Sequence, residues 1–132
     1  MILLDTVVVS ELRKARPSSH VLRWAAGYRD EQLFISVVTL GELEREIACA
    51  RDPAFRAELE RWLDGLLRHF DARLLDVTAP VARLWGHWSS QFGRADVDLM
   101  IAATAMVHGL TVATRNTRHF TPTGVALVDP FA

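Results

Sequence analysis

Short apolar runs recur along the whole chain, and stretches of helical spacing separate the first four of them. Residues 2–4, 33–38, 73–77, 110–114 and 125–128 read as strands. Strands that alternate with helices from end to end leave one economical solution, an α/β fold whose parallel sheet is covered on both faces. The helical stretches carry their own punctuation. Residues 7–12 and 21–25 are short amphipathic segments separated by Pro17, Ser18 and Ser19. Thr39-Leu-Gly-Glu42 has the form of a capping box opening a helix that runs through Cys49. Asp52-Pro53 starts another, with Phe55, Leu59, Trp62, Leu63, Leu66 and Leu67 on one face. Thr78 is placed to cap the next helix and Gly93 to end it. Residues 98–108 form a helix so apolar that it is expected to cross the sheet, closed by Gly109. No repeat or linker interrupts the pattern, and 132 residues suit one domain over residues 1–132.

Composition narrows the classes of function. The formal net charge is −1, so no global basic field draws the chain to nucleic acid. Lys14 is the only lysine among fifteen cationic side chains. Arginine favours planar, two-pronged contact with phosphate or carboxylate, and G+C-rich coding produces the same bias. The single cysteine, Cys49, excludes an internal disulfide and a cysteine-based zinc site. Its expected role is that of a small buried hydrophobe on a helix. The N-terminus has no signal-peptide form and no apolar run reaches bilayer length, so the cytoplasm is expected and a membrane is not.

In open α/β sheets ligands bind beyond the carboxyl ends of the strands. Asp5 ends the first strand there. Glu42 lies in the helix after the second, Asp98 opens the apolar helix before the fourth, and Asn116 follows the fourth. Each has a structural explanation taken alone: Glu42 as part of a capping box, Asp98 as a helix cap. Asp5 is harder to explain that way, because it has no obvious cationic partner nearby in sequence. Like charges about 5 Å apart repel by roughly 3 kcal/mol at an effective dielectric near 20. Three such acids therefore call for a cation among them. Hard oxygen ligands suit Mg²⁺ or Mn²⁺, and phosphodiester hydrolysis is the chemistry such a site performs.

The motifs also resemble those of a known family. Residues 2–11, Ile-Leu-Leu-Asp-Thr-Val-Val-Val-Ser-Glu, resemble the opening of the PIN-domain ribonuclease toxins of the VapC and FitB kind. Val38-Thr-Leu-Gly-Glu42-Leu, Asp98-Leu-Met-Ile-Ala-Ala-Thr-Ala and Leu110-Thr-Val-Ala-Thr114-Arg-Asn116 resemble their next three motifs, and residues 125–131 their usual ending. The resemblance implies a PIN fold with a four- or five-stranded parallel sheet. It implies a Mg²⁺- or Mn²⁺-dependent endoribonuclease, a cognate antitoxin of the VapB or FitA kind, and a homodimer. It assigns Asp5, Glu42 and Asp98 as metal ligands and Asn116 to the place of a fourth acid. Thr6, Thr114 and Asp96 fall to supporting roles. Arg94, Arg115 and Arg118 are candidate contacts to RNA phosphate, beside the plainer reading of solvated surface charge. Two positions depart from the family. Val7 stands where Asn is usual and cannot donate the hydrogen bonds of an amide; His119 stands where an Asp commonly precedes Phe. Attenuated cleavage is the expectation from Val7.

Other classes fit less well. A dehalogenase-like phosphatase needs a second Asp at position 7 and a late lysine, and a receiver domain also needs the late lysine. A metal-dependent DNA nuclease remains chemically close, since 2′-hydroxyl readout leaves no motif. The non-enzymatic alternative is an inactive PIN domain that serves its antitoxin in operator binding. Trp24, Trp62, Trp85 and Trp88 lie on amphipathic helices and are expected in core or interface.

Overall fold

A computed structural model describes residues 1–132. Five parallel strands, β1 (Ile2–Leu4), β2 (Leu33–Ser36), β3 (Leu74–Leu75), β4 (Thr111–Ala113) and β5 (Leu127–Val128), form one sheet in the order β3-β2-β1-β4-β5. Seven helices surround it: α1 (Thr6–Arg13), α2 (Ser19–Ala25), α3 (Val37–Ala48), α4 (Pro53–Phe70), α5 (Ala79–Phe92), α6 (Val97–His108) and α7 (Thr117–Phe120). The expected covered parallel sheet, five-stranded, is what forms.

The central strand shows why both faces must be covered. Leu3 is fully buried with Val81, Trp88, Leu99, Ile101 and Phe120, on the side of α5, α6 and α7. Ile2 and Leu4 point the other way, into Val8, Val21, Leu43, Leu59 and Phe70 from α1 to α4. Period-2 alternation thus feeds two separate cores. Helix α6 is apolar nearly all round, and Ile101, Ala102, Ala103 and Ala105 are wholly buried. Gly109 stops it with φ near 67°, a left-handed conformation that favours glycine.

Several local readings change. Strands β3 and β5 are only two residues long. Helix α3 begins at Val37, because the Ser36 side chain accepts the Val38 amide at 3.0 Å. Thr39 and Glu42 are therefore not a capping box. Thr39 is buried inside the helix, and Glu42 is free for other work. Asp98 is not a cap either: Asp96 caps α6 by accepting from Leu99. Thr78 occupies its cap position without a side-chain bond. Cys49 is exposed, not buried, as the C-cap of α3. The short α7 was not foreseen in the sequence.

Candidate active site

The chain goes from β1 to β2 on one side of the sheet and returns to β4 on the other, so the topological switch point lies between β1 and β4. Ligands gather outside the strand ends at such a point. Asp5 sits there at the N-cap of α1, in extended conformation. Its backbone N–H donates to Ala113 of β4 at 2.9 Å. Its carboxylate accepts the Thr6 amide at 2.8 Å and the Thr114 hydroxyl at 2.7 Å, one on each oxygen. Thr114 Oγ1 in turn accepts the Asn116 amide at 2.9 Å. One hydroxyl therefore ties the first strand's acid to the loop that presents Asn116.

Glu42 is held by Thr6. The Thr6 hydroxyl donates to Glu42 Oε1 at 2.5 Å and lies 3.1 Å from the Thr39 hydroxyl. A hydroxyl has one proton, so Thr39 donates to Thr6 while Thr6 donates to the carboxylate. Thr39 thus serves the acid through a two-hydroxyl chain instead of capping the helix. Asp98 completes the group, with Oδ2 at 2.7 Å from His119 Nδ1.

Asp5, Glu42, Asp98 and Asn116 line a single cavity of about 280 Å³, together with Thr6, Val7, Ser10 and Glu46. The sequence reading missed Glu46 and Ser10. Glu46 follows Glu42 by four residues on the same helix face, a spacing that would have pointed to it. Burial pushes the Asp5 carboxyl up from 3.8 to about 6, and the negative charges of Asp98 and Glu42 add to that against the two hydrogen bonds it accepts. Glu42 is raised for the same leading reason, with Asp98 and Glu46 adding to it.

The arginines separate. Arg94 is committed: its guanidinium grips both oxygens of Asp96, at 2.5 and 2.8 Å, and donates to the His119 carbonyl at 2.6 Å. Its fork is spent on structure. Arg115 is exposed on the loop after β4 and Arg118 is exposed on α7.

The donor set fits a hard divalent cation. Four carboxylates and an amide line the cavity without cysteine or histidine. The Ser10 hydroxyl is buried without a hydrogen-bond partner, as expected of a group that meets a hydrated ion. No three acidic or nitrogen ligands close into a ready-made cage. Mg²⁺ does not require one, since it keeps several waters and uses one or two carboxylates with substrate phosphate.

A family model of the PIN domain matches residues 2–123. The chain belongs to the PIN-domain family. This PIN domain is 35% identical over 137 residues to the toxin FitB of Neisseria gonorrhoeae, covering 99% of each chain. It is 34% identical over 139 residues to the VapC ribonuclease Y4jK of Sinorhizobium fredii, covering 99% and 98%. Its fold superposes on one chain of the structure of FitAB bound to a DNA fragment with a TM-score of 0.89, at 31% identity over 100% of this chain and 96% of that one. No helix is long and apolar enough to cross a membrane.

Two expectations follow from the geometry. Thr114→Val removes the donor to Asp5 and the acceptor of Asn116 together. Losing a group that orients a ligand typically lowers activity about 10- to 100-fold, so steady-state cleavage is expected to fall by that factor while the fold persists. Stability of the metal-free protein should also depend on pH in a definite sense. The folded Asp5 holds its proton to about pH 6 and the unfolded one only to 3.8. The contribution of Asp5 is then fully present below about pH 4 and is lost as pH rises through about 6. The loss is on the order of 3 kcal/mol. Thermal melts from pH 4 to 7.5 in chelator read this directly, and Mn²⁺ should raise the melting temperature more at pH 7.5 than at pH 5.

Proposed function

We propose that this chain is a divalent-metal-dependent endoribonuclease, the toxin of a toxin–antitoxin pair. The observation that carries the reading is the convergence of Asp5, Glu42 and Asp98 on one cavity at the switch point of the sheet. Its relatives FitB, a toxin, and Y4jK, a VapC ribonuclease, support it. In this reading residues 1–132 act as one PIN domain in the cytoplasm, where its RNA substrate and a protein antitoxin are met, and two copies pair as a homodimer.

Asp5, Glu42 and Asp98 would hold Mg²⁺ or Mn²⁺. When bound, the ion supplies Lewis-acid stabilisation of phosphoryl charge and lowers the pKa of water. The chain's own residues prepare the place. Thr114 and the Thr6 amide fix both oxygens of Asp5. The Thr39–Thr6 chain fixes Glu42, and Asn116 offers an amide where a fourth carboxylate would add charge. A neutral fourth group leaves less negative charge facing an incoming phosphodiester.

Val7 lines the same cavity with methyl groups. An asparagine there would give the cavity a donor beside the unpartnered Ser10 hydroxyl. Val7→Asn is expected to raise the cleavage rate several-fold; equal rates would remove Val7 as an attenuating residue.

Cleavage of total RNA by the pure protein with Mg²⁺, Mn²⁺ or chelator tests the proposal. Cleavage with either metal and none in chelator is expected. Cleavage that persists in chelator would reject the metal-dependent mechanism, and a complete lack of it with both metals would reject the nuclease reading in favour of a domain that serves only its antitoxin. Parallel DNA substrates decide between the two polymers.

A further inference from the structure

A second cleft opens beside the acidic cavity and shares Asn116 with it. Its volume is about 330 Å³, and Arg115, Asn116, Thr117, Arg118 and His119 line it without a single apolar side chain. Resting on the nuclease reading above, we propose that this cleft seats the RNA phosphate adjacent to the one cleaved.

Three features point to a phosphate. First, Arg115 lies with its guanidinium 4.4 Å from the centre of the Phe131 ring. A stacked guanidinium keeps its in-plane N–H fork available, and that fork matches phosphate oxygens in a two-pronged geometry. Arg118 is exposed, and neither arginine takes part in an ion pair within the chain. By contrast Arg94 is fully engaged with Asp96 and the His119 carbonyl, so it belongs to the scaffold.

Second, the cleft is built at a fixed distance from the acids. The Asn116 amide donates to the Thr114 hydroxyl that itself donates to Asp5. The His119 amide donates to the Asn116 carbonyl at 3.0 Å, and its ring nitrogen meets Asp98 at 2.7 Å. Phe120, wholly buried, anchors the far end. Preset geometry of this kind is what positions a substrate relative to the reacting atoms.

Third, charge selects this side. The acidic cavity presents Asp5, Glu42, Glu46 and Asp98 to a polyanion. The cleft that shares Glu42 and Glu46 with this cavity is lined by those two acids, Arg45 and Cys49. The flank of residues 115–119 offers two arginines and no acid. A nucleic-acid strand entering this site is attracted on one flank only.

The test is a kinetic and binding series on a short single-stranded RNA. Arg118→Ala and Arg115→Gln are each expected to raise KM for cleavage about tenfold with kcat within about twofold. Each should also reduce the salt slope of RNA binding in chelator by about 0.7, the loss of one single-strand phosphate contact. Arg118→Lys restores most of the affinity, and Arg61→Ala, an exposed arginine on α4, changes nothing beyond a small net-charge effect. Arg118 stands away from the core, so its variants remain informative where loss of the Phe131 stack perturbs folding. Variants that cleave and bind like the parent overturn the proposal while leaving the nuclease reading intact. If the parent itself does not cleave, the binding arm still decides: an Arg115- and Arg118-dependent salt slope supports the cleft, and its absence overturns it.

Discussion

Asp5→Asn is expected to lower RNA cleavage by about 10³-fold and, at the same time, to raise the melting temperature of the metal-free protein. In the proposed metal-dependent mechanism the loss comes from removing a carboxylate that would hold the ion, whose stabilisation of developing phosphoryl charge would be several kcal/mol, each 1.4 kcal/mol being about tenfold in rate. The gain comes from burial. Asp5 is 3% exposed, and its carboxyl titrates near 6 instead of 3.8, so keeping it ionised at pH 7 costs about 3 kcal/mol. The amide removes that charge. It also leaves one of two donors, the Thr6 N–H or the Thr114 hydroxyl, without an acceptor, which takes back about 2 kcal/mol. A net stabilisation of about 1 kcal/mol, a few degrees in Tm, should remain. Opposite movement of activity and stability is the signature of an acid retained for function against its own cost in folding. A variant that lost both together would mean that Asp5 serves the fold.

Phe120→Ala should have the largest effect on stability. The ring is wholly buried against Leu3, Leu99 and Val112 and is the bulkiest of the fully buried side chains. Truncation of a buried Phe typically costs about 4 kcal/mol. For a chain of this size that is a fall of about 15 °C in Tm. Phe120 also anchors α7, which carries Arg118 and His119 and follows the loop of Arg115 and Asn116. Cleavage measured well below the new melting temperature should therefore still fall. A drop of less than about 5 °C would show that the cavity is refilled by its neighbours and that the loop is held by its hydrogen bonds alone.

The sequence showed the alternation of strand and helix and the strand-end acids, because both follow from local rules. Burial of one or both strand faces sets the apolar runs, and parallel topology puts their carboxyl ends at one edge. Glu42 was legible as a candidate but misread locally. Val37 and Val38 look like a continuing strand, which hides that Ser36 already caps α3 and frees Thr39 and Glu42 for the site. The fate of Arg94 was not legible, because its second partner is the carbonyl of His119, 25 residues away. Cys49 was legible in principle. It follows Ile47, on the buried stripe with Leu43, by two residues, which turns it about 200° away from that stripe. The His119–Asp98 contact needed the fold itself, since only the packing of α7 against α6 brings them together.

Calorimetric titration of Mn²⁺ into the metal-free protein, its Asp5→Asn form and its Asp98→Asn form asks directly whether these carboxylates share an ion. One ion per chain in the parent, with affinity reduced at least tenfold in each variant, is the expected result. Unchanged binding in both variants, or none in the parent, would contradict the sharing of a divalent ion among Asp5, Glu42 and Asp98.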